Sequence, residues 1–288
     1  MAQTNTIMGQ LRRAHPEIEF IIREIVTRGD TTQAANTPLS SFGEKGIFAK
    51  ELETALLNDE IDVAVHSMKD MAHTLPIGLV IAAVPSREDP RDAWLGIPMA
   101  TLSSDSKVGT GSVRRKALLL ARSPRCNVVE IRGNVDNRIR KLNQGDYDAI
   151  FLAAAGLNRL GLAHHITEYL DPMEFVPDPG QGALAIETRE DDPHVRSLVH
   201  VLNVLDAHVC VGAERAFLRE LGGGCHTPCG ALATINDNTL TLHAMLGTED
   251  GSRLCRHSAA TDIGQAEQLG RHVARELREK LARTQKLD

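Results

Sequence analysis

Five arginines stand where a strand would hand over to the next element. Arg114 and Arg115 follow Gly109-Thr110-Gly111-Ser112, Arg132 closes a strand-like run in Arg132–Asn134, Arg138 lies about a helical turn further, and Arg159 follows the apolar run 148–156. The carboxyl ends of parallel strands share one rim, and ligands bind along it. Helix N-termini add backbone N–H groups that attract anions, and guanidinium forks suit carboxylates. The pattern points to an anion cleft, with a solvated set of surface arginines as the competing reading. Thr110 to Ser112 lacks the Lys-Ser/Thr ending of a phosphate loop.

Two further stretches carry chemistry. HSMKD (66–70) directly follows a strand-like run and puts Lys69 and Asp70 in a strand-end loop, a common place for functional groups. A carboxylate there can stabilise a developing cation or move a proton; an ordinary Lys–Asp surface pair competes, and His66 reads as structural. GGGCHTPCG (222–230) frees the backbone around Cys225, whose thiolate could be a nucleophile or a covalent attachment point. The glycines could equally be a helix cap and linker. Cys225, His226 and Cys229 could form part of a metal site, although no second Cys/His pair completes one.

The elements that must position these residues alternate. Strand-like runs at Ile18–Val26, Ile61–Ser67 and Gly78–Val84 flank a helix over Ile47–Asn58. A second set begins after Pro90: a short strand ending at Val108, a helix from about Ser112, a strand at Asn127–Gly133, a helix face of Val135, Ile139 and Leu142, and a strand at Asp148–Gly156. The Pro- and Gly-rich stretch 172–182 leads to a strand at Ala183–Thr188. The last third reads as a helix over Gly212–Leu221, a hairpin of 230–235 and 239–246 across Asn-Asp-Asn, and a helix carrying Leu269, Val273, Leu277 and Leu281. The alternation predicts an α/β fold with mostly parallel sheets, followed by a small α+β unit.

The chain has 288 residues, and 32 Lys+Arg against 38 Asp+Glu give a net charge of −6. Its 42% hydrophobic and 24% charged content is that of a globular protein and excludes extensive disorder. Aromatics at 3% argue against base-stacking platforms, so nucleic acid is not an expected partner. Apolar runs fall short of the ~18 residues that span a bilayer, no secretory signal opens the chain, and five cysteines form no disulfide framework. A cytoplasmic protein is expected.

Taken in order, VTRGD (26–30), GEKGIFAKELE (43–53), DVAVHSMKD (62–70), REDPRDA (87–93), VGTGSVRR (108–115), EIRGNVDNR (130–138), DAIFLAAAGLNRLGL (148–162), PGQGALAIE (179–187) and GAERAFL…GGGC (212–225) closely resemble the porphobilinogen deaminase family over nearly the whole chain. The resemblance implies two periplasmic-binding-protein-like α/β domains around a cleft and a small α+β C-terminal domain. The expected boundaries are 1–86 plus 183–200, 90–176 and 205–288. It implies a transferase of tetrapyrrole biosynthesis, a monomer, that condenses four porphobilinogen molecules head to tail with loss of ammonia and hydrolyses off hydroxymethylbilane. Growth occurs on a dipyrromethane cofactor held by a thioether, here to Cys225. Asp70, with Lys69, is the implied catalytic group, stabilising an azafulvenium-like cation. Ser67, Lys69, Thr110, Ser112, Arg114, Arg115, Arg132 and Arg138 are the implied cofactor ligands. Arg159, Gln181 and Lys45 are the implied substrate contacts, and no metal is implied.

The chain also departs from the family. Members carry a segment of the type RIGTRxSxLA ahead of the position of Met1, with a substrate-binding Arg and Ser, and a late assigned start is the expectation here. Without that segment a non-catalytic carboxylate-binding homologue is the alternative function. Gly111 stands where a Ser is usual, and His226 and Cys229 are uncommon choices.

Overall fold

The computed structural model describes residues 2–25, 49–222 and 227–284, arranged around three sheets. Helix α1 (Ala2–Ala14) precedes α2 (Lys50–Leu57), β1 (Ala64–Ser67) and β2 (Leu79–Ala83). The chain then runs through β3 (Asp92–Gly96), β4 (Lys107–Gly109), α3 (Val113–Arg122), β5 (Asn127–Val129), α4 (Val135–Asn143), β6 (Ala149–Ala153), α5 (Ala154–Arg159) and β7 (Glu168–Tyr169). It returns through β8 (Leu184–Arg189) and α6 (Pro193–His200). It ends with α7 (Leu205–Glu220), β9 (Cys229–Asn236), β10 (Thr239–Gly247), β11 (Leu254–Asp262) and α8 (Ala266–Thr284).

The α/β class holds, but the sheets are not mostly parallel. Among the described residues only β4 with β5 and β4 with β6 pair in parallel. Those are the strands linked by helical crossovers through α3 and α4, the connection that parallel neighbours require. In the first sheet, of order β1-β8-β2, β1 and β2 point the same way, yet the slot between them is filled by β8 running back. The second sheet, β5-β4-β6-β3-β7, gains its antiparallel strands at β3 and β7. The third, β11-β10-β9, is antiparallel throughout, and α7 and α8 pack on it through Phe217, Leu242, Val273 and Leu277.

Several element expectations are corrected. Residues 18–25 form no strand, Ile21 is 83% exposed, and Val26 lies outside the described residues. Only Phe20 of that run joins the packing around Ile7 and Leu11, so the apolar residues line a groove instead of a ladder. The strand drawn over 148–156 stops at Ala153: the Ala154 N–H makes one last bond in the β3 register, to the Arg91 carbonyl, and the alanines from there on favour helix. Residues 61–63 and 130–133 lie outside β1 and β5, and α7 begins seven residues earlier than residue 212. Helices α1, α5 and α6 and strands β3, β7 and β11 were not read from the sequence.

Candidate active site

The parallel trio β5-β4-β6 delivers the rim that the arginine spacing implied. After β4, the Ser112 Oγ accepts from the Arg115 N–H at 3.4 Å and caps α3, while the Thr110 Oγ1 accepts from the Ser112 N–H at 3.1 Å. That cap starts a helix whose first turn points Arg114 and Arg115 inward onto Asp92, the first residue of β3. Arg115 donates from Nε and Nη2 to Asp92 at 3.0 and 2.8 Å, and Arg114 donates from Nη1 at 2.7 Å. Burial alone would raise the Asp92 carboxyl; the two guanidiniums outweigh it and hold the group far below the usual carboxylate range. Arg114 is only 4% exposed, its other contact is the Val176 carbonyl at 2.8 Å, and it stands one layer behind the rim.

Arg138, on α4, donates from Nε to the Gly133 carbonyl at 2.7 Å. Burial, with Arg115 and Arg132 nearby, lowers it to about 10, and Asp70 opposes that shift. Burial is the larger cause, and the neighbouring cations add to it; a carboxylate placed among them would be favoured. Arg132 is bound back to Glu130 by its Nε at 2.8 Å and by Nη2.

The opposite wall comes from the first sheet. Strand β1 runs into a tight turn, Met68–Asp70, pinned on both sides. Met68 N–H donates to the Ala183 carbonyl at 3.0 Å, and Arg215 of α7 donates to the Ala72 and His73 carbonyls at 2.9 and 3.3 Å. Asp70 is exposed at the tip, and Lys69 is half-buried beside it. Burial lowers the Lys69 ammonium; Asp70 raises it, Arg115 lowers it, and Asp178 and Asp92 raise it. Ser67 exchanges hydrogen bonds with the Gln3 side chain of α1 at 3.0 and 3.2 Å, a contact the sequence did not suggest.

Between the walls lies the returning segment 178–183. Gly180 has φ +78°, and a Cβ there would sit 2.6 Å from Met68 Cγ; Gly182 has φ +87°, and a Cβ would sit 2.3 Å from the Glu88 carbonyl oxygen. Only glycine lets this segment press against both walls. Gln181 is buried within it, against Asp92 and Lys69. Arg159, at the end of α5, donates to the Gly182 carbonyl at 2.6 Å and stands near Glu88, apart from the Arg115–Arg138 group.

The structure thus gathers Lys69, Asp70, Arg115, Arg132, Arg138 and Gln181, flanked by Thr110 and Ser112. Lys45 and Cys225 lie outside the described residues. The residue missed by sequence reasoning is Asp92; its signal was its place in REDPRDA, immediately before the buried apolar run Ala93-Trp94-Leu95. Among the described residues no group of His, Cys, Asp and Glu side chains is arranged to hold a metal ion.

Comparison with known proteins bears directly on this arrangement. Among solved structures, the chain matches the substrate binding protein of an amino acid ABC transporter, 14% identical over 76% of this chain and 82% of that one, with a TM-score of 0.35. Among curated proteins, porphobilinogen deaminase of Thermus thermophilus is 48% identical over 283 residues, covering 97% of this chain and 92% of that one. The protein of the same name from Chromobacterium violaceum is 46% identical, covering 96% and 90%. Residues 1–197 match the family described as porphobilinogen deaminase, dipyromethane cofactor binding domain, and residues 208–279 match porphobilinogen deaminase, C-terminal domain. With both family descriptions matched in order and near-complete mutual coverage, the chain belongs to the porphobilinogen deaminase family.

Proposed function

We propose that this protein is a transferase of tetrapyrrole biosynthesis that joins four porphobilinogen molecules head to tail, releases ammonia and yields hydroxymethylbilane. The observation that carries the reading is one carboxylate, Asp70, facing a rim of Lys69, Arg115 and Arg138, in a chain that matches deaminases over 97% of its length. Each pyrrole of the substrate bears an acetate and a propionate, so a growing chain needs cations and hydroxyl donors in number. Lys69, Thr110, Ser112, Arg115, Arg132 and Arg138 have that chemistry, and it fits the cofactor domain that the chain matches.

We assign Cys225 as the thioether attachment point of the dipyrromethane, with Ser67 an additional donor and Arg159 and Lys45 substrate contacts. When bound, that group supplies the pyrrole carbon to which the first substrate is joined. The protein's own part is electrostatic and positional. Arg115, Arg132 and Arg138 bind and orient carboxylates, with Arg114 balancing Asp92 behind them. Asp70 accepts pyrrole N–H hydrogen bonds and stabilises the positive charge that develops on the substrate as its amine departs.

The three sheets support a division into domains at 1–86 plus 183–200, 90–176 and 205–288, with the cleft between the first two. The reading further takes the protein as a cytoplasmic monomer whose partners are porphobilinogen and the growing polypyrrole, with neither nucleic acid nor membrane. No single helix among the described residues is long and apolar enough to cross a membrane.

The test is the intact mass of the denatured protein beside Cys225→Ala. The expected result is a mass one dipyrromethane above the 31.3 kDa chain, lost in the variant. An unmodified chain, or an adduct that persists in the variant, would overturn the cofactor assignment.

A further inference from the structure

Gln181 has a geometry unlike that of a substrate contact. It is 1% exposed, so a molecule in the cleft does not reach its amide. Its Nε2 donates to the Pro90 carbonyl at 2.8 Å and to Asp92 Oδ1 at 2.9 Å, which uses both amide hydrogens. The Oε1 accepts from Lys69 Nζ at 3.4 Å and from Arg115 Nη2 at 3.5 Å. Those acceptors and donors permit one amide orientation. A flipped amide would set its oxygen against a carboxylate and a carbonyl, and its hydrogens against an ammonium and a guanidinium.

The backbone at Gln181 is equally fixed. Its N–H donates to the Asp178 carbonyl at 2.9 Å, and its carbonyl accepts from Arg87 Nε at 2.9 Å. Arg87 in turn is gripped by the buried Glu214 of α7 at 2.6 and 3.1 Å. The amide therefore joins β3 of the second sheet, through Asp92, to the Asp70 turn of the first, through Lys69.

We infer that Gln181 is a positioning residue, not a substrate ligand: its amide, oriented by Asp92 and Pro90, presents one oxygen that holds the Lys69 ammonium and the Arg115 guanidinium at the rim. The inference rests on the reading of Lys69 as part of the active site. The charged groups around Lys69 come from every adjoining element: Asp70 on its own turn, Arg115 from α3, Asp92 from β3 and Asp178 from the returning segment. An uncharged oxygen among them stabilises the ammonium without cancelling the positive rim. At 3.4 Å the contact is long, so the expected effect on Lys69 is moderate.

The test reads Lys69 itself and needs no turnover. Trace acylation of the full chain with acetic anhydride across pH, followed by peptide mass spectrometry, gives the apparent pKa of Lys69 in wild type, Gln181→Met and Gln181→Asn. Loss of the acceptor lowers that pKa by roughly half a unit to one unit in either variant. Either folded variant suffices. An unchanged Lys69 profile overturns the inference, most directly if the KM for porphobilinogen rises while kcat holds, the mark of a substrate contact. Because the labelling is independent of product formation, a chain that makes no hydroxymethylbilane would sink the functional reading and still decide the role of Gln181.

Discussion

Two buried carboxylate clusters lie within the same molecule and behave in opposite ways. Asp92, fully buried, is surrounded by donors: two guanidiniums and the Gln181 amide. Behind β1, Glu187 is also fully buried, but its Oε2 meets one imidazole, His66, at 2.9 Å, and its Oε1 has no hydrogen-bond partner among the described residues. Glu53 of α2 joins that second cluster, and its Oε1 is likewise buried without a hydrogen bond. Burial and then the Glu187 charge raise the Glu53 carboxyl above its ordinary value, against smaller opposing effects of His66 and Lys50. The first cluster favours the charged form of Asp92; the second displaces Glu53 toward its neutral form. Burial penalises charge in both, and the number of donors decides the outcome.

The largest effect expected from breaking this contrast is at Asp92. Asp92→Asn leaves two buried guanidiniums without a counter-charge and should cost about 3–5 kcal/mol in urea denaturation. A loss of under about 1 kcal/mol would show that the arginines find water instead. Asp70 is an exposed carboxylate outside both clusters, and it sharpens the contrast through activity. Asp70→Asn should retain wild-type stability while lowering kcat by about 10²–10³-fold, the scale seen when one charge-stabilising group is removed. Near-normal product formation would take Asp70 out of the mechanism.

The smallest effect is at Glu53. Its carboxyl is raised in the folded state, so the folded protein binds more protons than the unfolded chain once pH exceeds the ordinary value of 4.5. Stability from this group is intact below that value and is lost as pH rises through the raised one. Glu53→Gln should remove this downward slope above pH 4.5 while leaving acid stability unaltered. Denaturation midpoints at several pH values read it directly, and parallel curves for variant and wild type would contradict a raised Glu53 carboxyl.

What was legible from sequence follows the same division between local and long-range causes. The Ser112 cap, the Asp70 turn after β1 and the arginines beyond β4 and β5 are local patterns, and each falls at the end of its strand. Asp92 reads as one more acidic residue in a charged stretch, because its partners Arg114 and Gln181 reach it only through the fold. Strand direction was illegible for a related reason. Alternating helices and strands predict crossovers, but nothing in the run from Ala183 announces that it inserts between β1 and β2. Strand β11 escaped notice because it is an edge strand whose residues alternate between exposed and half-covered, with little apolar signal.

That insertion has a consequence in time as well as in space. His66 and Glu187, neighbours in the first sheet, are 121 residues apart in the chain. A ribosome delivers β1 and β2 early, yet the strand that hydrogen-bonds to both emerges only after the whole second sheet has been made. The first unit to be synthesised is therefore the later one to close, and its half-formed edges must wait with their backbone groups unpaired. Long-range pairing of this kind slows folding, since the loop must close before any contact rewards it. The interval between β2 and β8 is the period of greatest exposure to wrong pairing for the nascent protein.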